Sequence, residues 1–203
     1  MVSDKTEILF ATGNRHKIEE AKEIFTKYDL SISQLIVDGK SPHLSEPQTD
    51  SIEEVSKSKI QQVREIISGT ALEQSVILVE DSGLFIETLG GFPGPYSSYV
   101  KEKLGLSGIL ELLRNNSHRK AKFMAAVAIL HNGKNTYAVG KCEGRISLEI
   151  KGAEGFGYDP IFIPNEADGR TCGELSNEEK SLISHRGMAL KEVAEYLISR
   201  QSE

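Results

Sequence analysis

The chain is poor in cysteine, and that scarcity excludes two architectures. Cys142 and Cys172 are the only two in 203 residues. They stand far apart, so neither a disulfide framework nor a zinc-type cysteine cluster follows. A reduced, intracellular setting fits this usage, and the expected location is the cytoplasm. Histidine does not fill the gap. His43, His118, His131 and His185 are scattered, and no nearby histidine or cysteine completes a zinc set. No apolar run is long enough to cross a bilayer. No long hydrophobic block follows the first basic residues, so no secretory leader is expected. Basic residues are not in excess either. The formal charge is −6, which argues against a nonspecific coat on nucleic acid. No stable nucleic-acid or membrane partner is expected. A small anion remains admissible, because it feels a local pocket and a metal can bridge it to carboxylates. There is no internal repeat and no low-complexity tail. The length fits one large domain or two closely joined lobes.

What the chain does have is an alternation of strand-like and helix-like segments. Ile8 to Ala11 read as a buried strand. Ile18, Ala21, Phe25 and Tyr28 then recur at helical spacing, and Asn14 is placed to cap that helix. Ile52, Val55, Val63 and Ile66 suggest a second amphipathic helix. Val76 to Val79 form the clearest central strand, with Glu80, Asp81 and Ser82 where it is expected to end. Gly90, Gly91, Pro93, Gly94 and Pro95 mark a linker with special turns. "SGILELLRN" reads as a helix, and Lys120 to His131 as a strand. "HNGKN" is a turn signal, with Thr136 to Cys142 returning as a paired strand. Tyr158 to Ile163 read as a further strand. Ser176 and Glu179 have capping-box spacing, and Met188 to Ile198 form a final helix.

Three polar groups carry the chemistry. The first is "TGNRHK", Thr12 to Lys17, between a strand and a helix. Free backbone donors at a helix start attract an anion, and an ammonium adds charge. The stretch has neither Walker spacing nor a dinucleotide fingerprint. A capped, solvent-facing turn is the alternative. The second is Glu80–Asp81. Neighbours on a strand point to different faces, so the two acids need not share a task. Asp81 is the preferred reactive carboxylate, as magnesium ligand or as acceptor of a water proton; a turn cap is the plain alternative. Glu46 is a weaker metal candidate, and Asp50, Glu53 and Glu54 compete with it. The third group is split. In "EGFGYDPIFIP", Phe156 offers an aromatic wall and Asp159 a polar edge, or else a core aromatic in a tight turn. In "SNEEKSLISHRGMALKEV", Lys180 and Arg186 supply cationic donors, and His185 donates or accepts according to tautomer.

Four segments in order, "TGNRHK", "VEDSGLFIETLGGFPGPYSSYV", "EGFGYDPIFIP" and "EEKSLISHRGMAL", resemble the Ham1/inosine triphosphatase family of noncanonical purine nucleoside triphosphate pyrophosphatases. The compact "GFPGPYSSYV" looks like an archaeal branch. The match spans nearly the whole chain. The resemblance implies an α/β, two-lobed ITPase-like fold, with a central mixed sheet, flanking helices and a cleft between lobes. It implies one domain over 1–203, with lobes near 1–92 plus 178–203 and 93–177, and a homodimer. It implies a magnesium-dependent enzyme that converts ITP, dITP or XTP to a monophosphate and pyrophosphate. By carry-over, Thr12, Gly13, Asn14 and Lys17 hold the triphosphate, and Asp81 is catalytic. Glu46 and Asp81 are the metal acids. Ser82 lies on the phosphate or sugar side. Phe156, Gly157, Tyr158 and Asp159 match base-pocket positions, and Lys180, His185 and Arg186 match later nucleotide contacts. Arg15 and His16 occupy the variable part of the first motif, where their charge would assist the phosphates. Relatives often carry a lysine in the helix before the Asp81 strand. Here that register falls at Ser58, between Lys57 and Lys59, so the role is unassigned. The competing readings are a Maf-like pyrophosphatase for modified or pyrimidine nucleotides, and a noncatalytic nucleotide sensor.

Overall fold

The structure is a computed structural model and describes residues 7–201. The first residues, from which the absence of a leader was read, lie outside the described part. So do the outermost ends of the expected lobes.

The chain opens with a buried strand, β1 (Glu7–Phe10), then α1 (Arg15–Thr26) and β2 (Ser31–Gln34). β2 lies parallel to β1. Asn14 does cap α1: its side-chain oxygen accepts from the amides of His16 and Lys17 at 3.0 and 3.4 Å. Ala21, Ile24 and Phe25 form the buried stripe of α1. The helix stops at Thr26, so Tyr28 packs from beyond its end rather than from within it.

Next come α2 (Ile52–Ile67), β3 (Val76–Ile86), the two-residue β4 (Pro93–Gly94) and α3 (Ser97–Leu112). Ser51 caps α2 by accepting from the Glu54 amide at 3.2 Å. The inner face of α2 carries Ile52, Val55, Ile60, Val63 and Ile67. Ile66, expected on that face, is 36% exposed. β5 (Lys120–His131) and β6 (Lys134–Ile146) form a long hairpin. β7 (Phe162–Pro164), α4 (Asn177–Ile183) and α5 (His185–Gln201) complete the order.

The strands form one mixed seven-stranded sheet in the order β2-β1-β3-β5-β6-β7, with β4 paired to β3. β1 runs parallel to β3, whereas β4 and β5 run antiparallel to it. One core packs β1 and the start of β3 against α1 and α5, through Phe10, Phe25, Leu78 and Leu190. α2 covers the opposite face there, over Ile77 and Val79. At the far end of β3, Leu84 and Ile86 meet Val100, Ile109 and Phe162.

Three expectations about elements change. The central strand does not end at Val79. Its pairing with β5 runs unbroken from Ile77 to Ile86, and this ladder overrides the turn chemistry of Glu-Asp-Ser-Gly. Tyr158 to Ile163 is not one strand. Pro160 lies in a short 3-10 turn, Asp159–Ile161, before β7 begins at Phe162. The last helix starts earlier than expected, at His185, with the Ser184 hydroxyl accepting from the Gly187 amide at 2.9 Å. The capping box at Ser176 and Glu179 is present and starts α4.

Candidate active site

The site begins with a gap in the sheet. On one side β3 pairs with β5 along nearly its full length. On the other side β1 covers β3 only from Val76 to Leu78, and β4 only at Leu84 and Phe85. The stretch between, which holds Glu80, Asp81 and Ser82, has no strand partner on that edge among the described residues. Gly83 is needed beside it, because a Cβ there would sit 2.2 Å from the Gly94 carbonyl oxygen. Ser97 fixes the upper rim of the gap. Its hydroxyl accepts from the Leu84 amide at 2.8 Å and donates to the Gly94 carbonyl at 2.7 Å.

A cavity of about 730 Å3 opens at this gap. Thr12, Gly13, Asn14, His16, Lys17, Glu46, Asp81, Ser82, Phe156, Gly157, Tyr158, Asp159, Lys180, His185 and Arg186 all line it. Distant polar segments therefore do gather at one place. Arg15 is the exception. It is the exposed first residue of α1 and is outside the lining.

Strand alternation separates the two acids. Glu80 is fully buried on the α1 and α5 side. Arg186 Nε donates to Glu80 Oε1 at 3.2 Å, and the Lys17 ammonium lies 2.5 Å from Oε2. That second contact is an ion pair without good hydrogen-bond alignment, because Oε2 has no hydrogen-bond partner. Lys17 also reaches the Glu80 carbonyl oxygen at 3.5 Å. Burial pushes the Glu80 carboxyl up, but Arg186 and Lys17 outweigh it and hold it well below the usual carboxylate range.

Asp81 faces α2 instead. Lys59 donates to its Oδ1 at 2.7 Å and lies 2.6 Å from Glu46 Oε1. Of the two lysines around Ser58, Lys59 is the one beside Asp81. Lys59 sits on the buried stripe of α2, four residues after Val55 and four before Val63. Lys57 points elsewhere, over the Tyr137 ring.

The other end of the cavity is aromatic and cationic. The Phe156 amide donates to Asp159 Oδ2 at 2.7 Å, which pins the turn. Gly155 permits this contact, with φ at +73° and no Cβ to meet that oxygen. The Phe156 ring stacks on His16, with centroids 5.1 Å apart and planes 10° from parallel. His16 thus lies against the aromatic wall. Lys180 donates to Asp159 Oδ2 and to Glu20 Oε1, each at 2.8 Å. Arg186 bridges Glu80, Glu20 and Ser82, reaching the Ser82 hydroxyl at 2.9 Å. Tyr158 donates to the Ser97 carbonyl at 2.8 Å, so it ties the loop to α3. His185 stacks on Phe123 at 4.8 Å. Burial, helped by Arg186, pushes its imidazole down to about 3 and keeps it neutral.

Glu20 was absent from the sequence reading. It sits one helical turn after Lys17, and that spacing was the available signal. Burial raises its carboxyl, but Arg186 and Lys180 together hold it below its ordinary range.

Burial pushes Asp81 up to about 6, against the pull of Lys59 and Lys17. A raised carboxyl contributes stability below its unfolded value and loses it as pH rises through the folded one. In chelator-treated protein, the chain should therefore lose about 3 kcal/mol relative to Asp81→Asn between about pH 4 and pH 7. Urea unfolding across that range measures the difference. A gap independent of pH would show that Asp81 does not titrate as placed.

A metal fits this donor set. No group of three histidine, cysteine or acidic side chains forms a ready cage among the described residues. Magnesium does not need one, since one or two carboxylates and substrate phosphates suffice. Asp81 Oδ2 is buried with no hydrogen-bond partner, and Glu46 stands beside it across Lys59.

Comparison with known proteins agrees with the fold and the motifs. The sequence profile of the Ham1 family matches residues 8–196. A protein named dITP/XTP pyrophosphatase from Methanopyrus kandleri is 46% identical over 190 residues, covering 93% of this chain and 95% of its own. Its namesake from Thermococcus kodakarensis is 40% identical, covering 94% and 96%. The solved Ham1 protein of Staphylococcus aureus superposes with a TM-score of 0.79 at 28% identity, over 96% of this chain and 99% of that one. That of Coxiella burnetii gives 0.78 at 32% identity, over 95% and 98%. With its curled mixed sheet, flanking helices and four ordered motifs, the chain belongs to the Ham1 family.

Proposed function

We propose that this chain hydrolyses noncanonical purine nucleoside triphosphates, ITP, dITP and XTP, to monophosphate and pyrophosphate, and so cleanses the nucleotide pool. One observation carries the reading. A single cavity holds an anion loop, a buried carboxylate with a free oxygen, and an aromatic wall flanked by cations. Relatives named dITP/XTP pyrophosphatase support it.

The triphosphate lies along Thr12 to Lys17, where Gly13 and Arg15 keep amides that the Asn14 cap does not use and Lys17 brings an ammonium. A water oxygen attacks the α-phosphorus, and the bond from that phosphorus to the bridging oxygen breaks. Asp81 takes the water's proton, directly or through a second water. Lys59 holds Oδ1 and fixes the carboxylate plane. Glu46 and Asp81 would hold a magnesium ion, which when bound would supply charge neutralisation at the phosphates.

At the other end the base stacks on Phe156, and His16 shares that wall. Lys180 has a third N–H beyond its two carboxylate bonds, and Arg186 has five donors, of which three are engaged. The spare donors suit an oxygen at purine position six. Adenine presents an amino group there, and a buried mismatch costs about 1–3 kcal/mol. The two ends of the sheet serve as the two lobes, 1–92 plus 178–203 and 93–177. The exposed Phe92, Tyr96, Tyr99 and Leu104 support a homodimer. A cytoplasmic enzyme suits a nucleotide-pool task, and no described helix is long and apolar enough to span a membrane.

A nucleotide panel with magnesium and product identification tests the proposal. ITP, dITP and XTP should yield monophosphate and pyrophosphate well ahead of ATP. A preference for UTP or dTTP would favour the Maf-like reading. Tight ITP binding without turnover would favour a sensor.

A further inference from the structure

Five cationic side chains line the cavity: Lys17, Lys59, Lys101, Lys180 and Arg186. Four of them are already matched by carboxylates of the protein. Lys17 lies on Glu80, Lys59 on Glu46 and Asp81, Lys180 on Asp159 and Glu20, and Arg186 on Glu80 and Glu20. Lys101 has no such partner among the described residues, although its neighbour Lys103 pairs with Glu102.

Its position matters as much as its charge. The anion loop leaves the sheet at the Leu78 end of the gap in β3, where the Ala11 amide donates to the Leu78 carbonyl. α3 is fastened at the other end, where Ser97 holds the Leu84 amide. Lys101, one helical turn after Ser97, therefore lines the cavity from the Leu84 end, and the phosphate loop lines it from the Leu78 end. Lys101 is exposed at the cavity rim.

We infer that Lys101 is a further substrate-binding residue, which reaches across the cleft to the polyphosphate tail. This rests on the triphosphate reading and deepens it. A polyphosphate carries several negative charges into a cavity whose other cations are internally neutralised. The surplus positive charge is at Lys101. Its ammonium pairs with oxygens of the tail, so it strengthens binding of the triphosphate and of the leaving pyrophosphate but not of the monophosphate product.

Calorimetric titration with inorganic tripolyphosphate in excess magnesium, and separately with IMP, tests this on the full chain. Lys101→Gln should bind tripolyphosphate about tenfold more weakly, as expected for one lost charge-assisted contact. Its affinity for IMP should be unchanged. Lys101→Arg should restore most of the tripolyphosphate affinity, and Lys103→Gln on the same helix should lose none. Equal tripolyphosphate affinities in parent and Lys101→Gln overturn the inference. So does a matching loss for IMP, or a parent chain that binds no tripolyphosphate. Turnover of ITP by the parent is read in a separate assay. Tripolyphosphate binding that depends on Lys101, in a chain that leaves ITP intact, would overturn the pyrophosphatase reading and leave this one standing.

Discussion

Asp81→Asn is expected to lower kcat by about a thousandfold while leaving nucleotide affinity within a few-fold. General-base removal typically costs about 100- to 10,000-fold. The expectation follows from the position of this carboxylate. Oδ1 is held by Lys59 and Oδ2 is free, in a buried place that raises its proton affinity. Asparagine keeps the shape and an acceptor for Lys59, but it cannot take a proton from water. Binding should survive, because Thr12 to Lys17 and the Phe156 wall are untouched. Single-turnover kinetics with ITP, alongside equilibrium binding of a nonhydrolysable analogue, separates the two quantities. Undiminished turnover at saturating magnesium would remove Asp81 from the chemistry.

Arg186→Met is expected to cost the fold about 3–5 kcal/mol, because it strands a charge rather than a contact. Arg186 is 2% exposed and sits between Glu80 and Glu20. Glu80 is 3% exposed, and without the guanidinium it keeps only Lys17. A melting temperature lower by roughly 10 °C corresponds to a loss of this size in a chain of this length. Glu80→Gln in the Arg186→Met background should recover part of the loss, since it removes the stranded charge. Thermal unfolding of the two variants measures both effects. An unchanged melting temperature for Arg186→Met would mean that Glu80 is not charged in the folded chain.

The local parts of the site were legible in the sequence because they follow local rules. Asn14 caps α1 by geometry that spans three residues. Ser176 and Glu179 form their box for the same reason. The alternation argument separated Glu80 from Asp81 correctly, and they do face different helices. What it missed was tertiary. Glu-Asp-Ser-Gly has turn chemistry, yet a ladder with β5 keeps it extended. Lys59 was legible in principle as a lysine on an apolar stripe, but sequence register drew attention to Ser58. In the sequence Glu20 is one acid among several on α1. Its meaning comes from Lys180 and Arg186, more than a hundred residues away in the chain. His16, expected to assist the phosphates, stacks on Phe156 within the same cavity. Arg15, next to it, is exposed and outside the cavity lining.

Hydrolysis of ITP in oxygen-18 water is the most direct measurement of the central claim, that water activated at Asp81 attacks the α-phosphorus. The label is expected in inosine monophosphate, with pyrophosphate unlabelled. Label in pyrophosphate or in inorganic phosphate would place the attack elsewhere on the tail and contradict the roles given to Asp81 and Lys59.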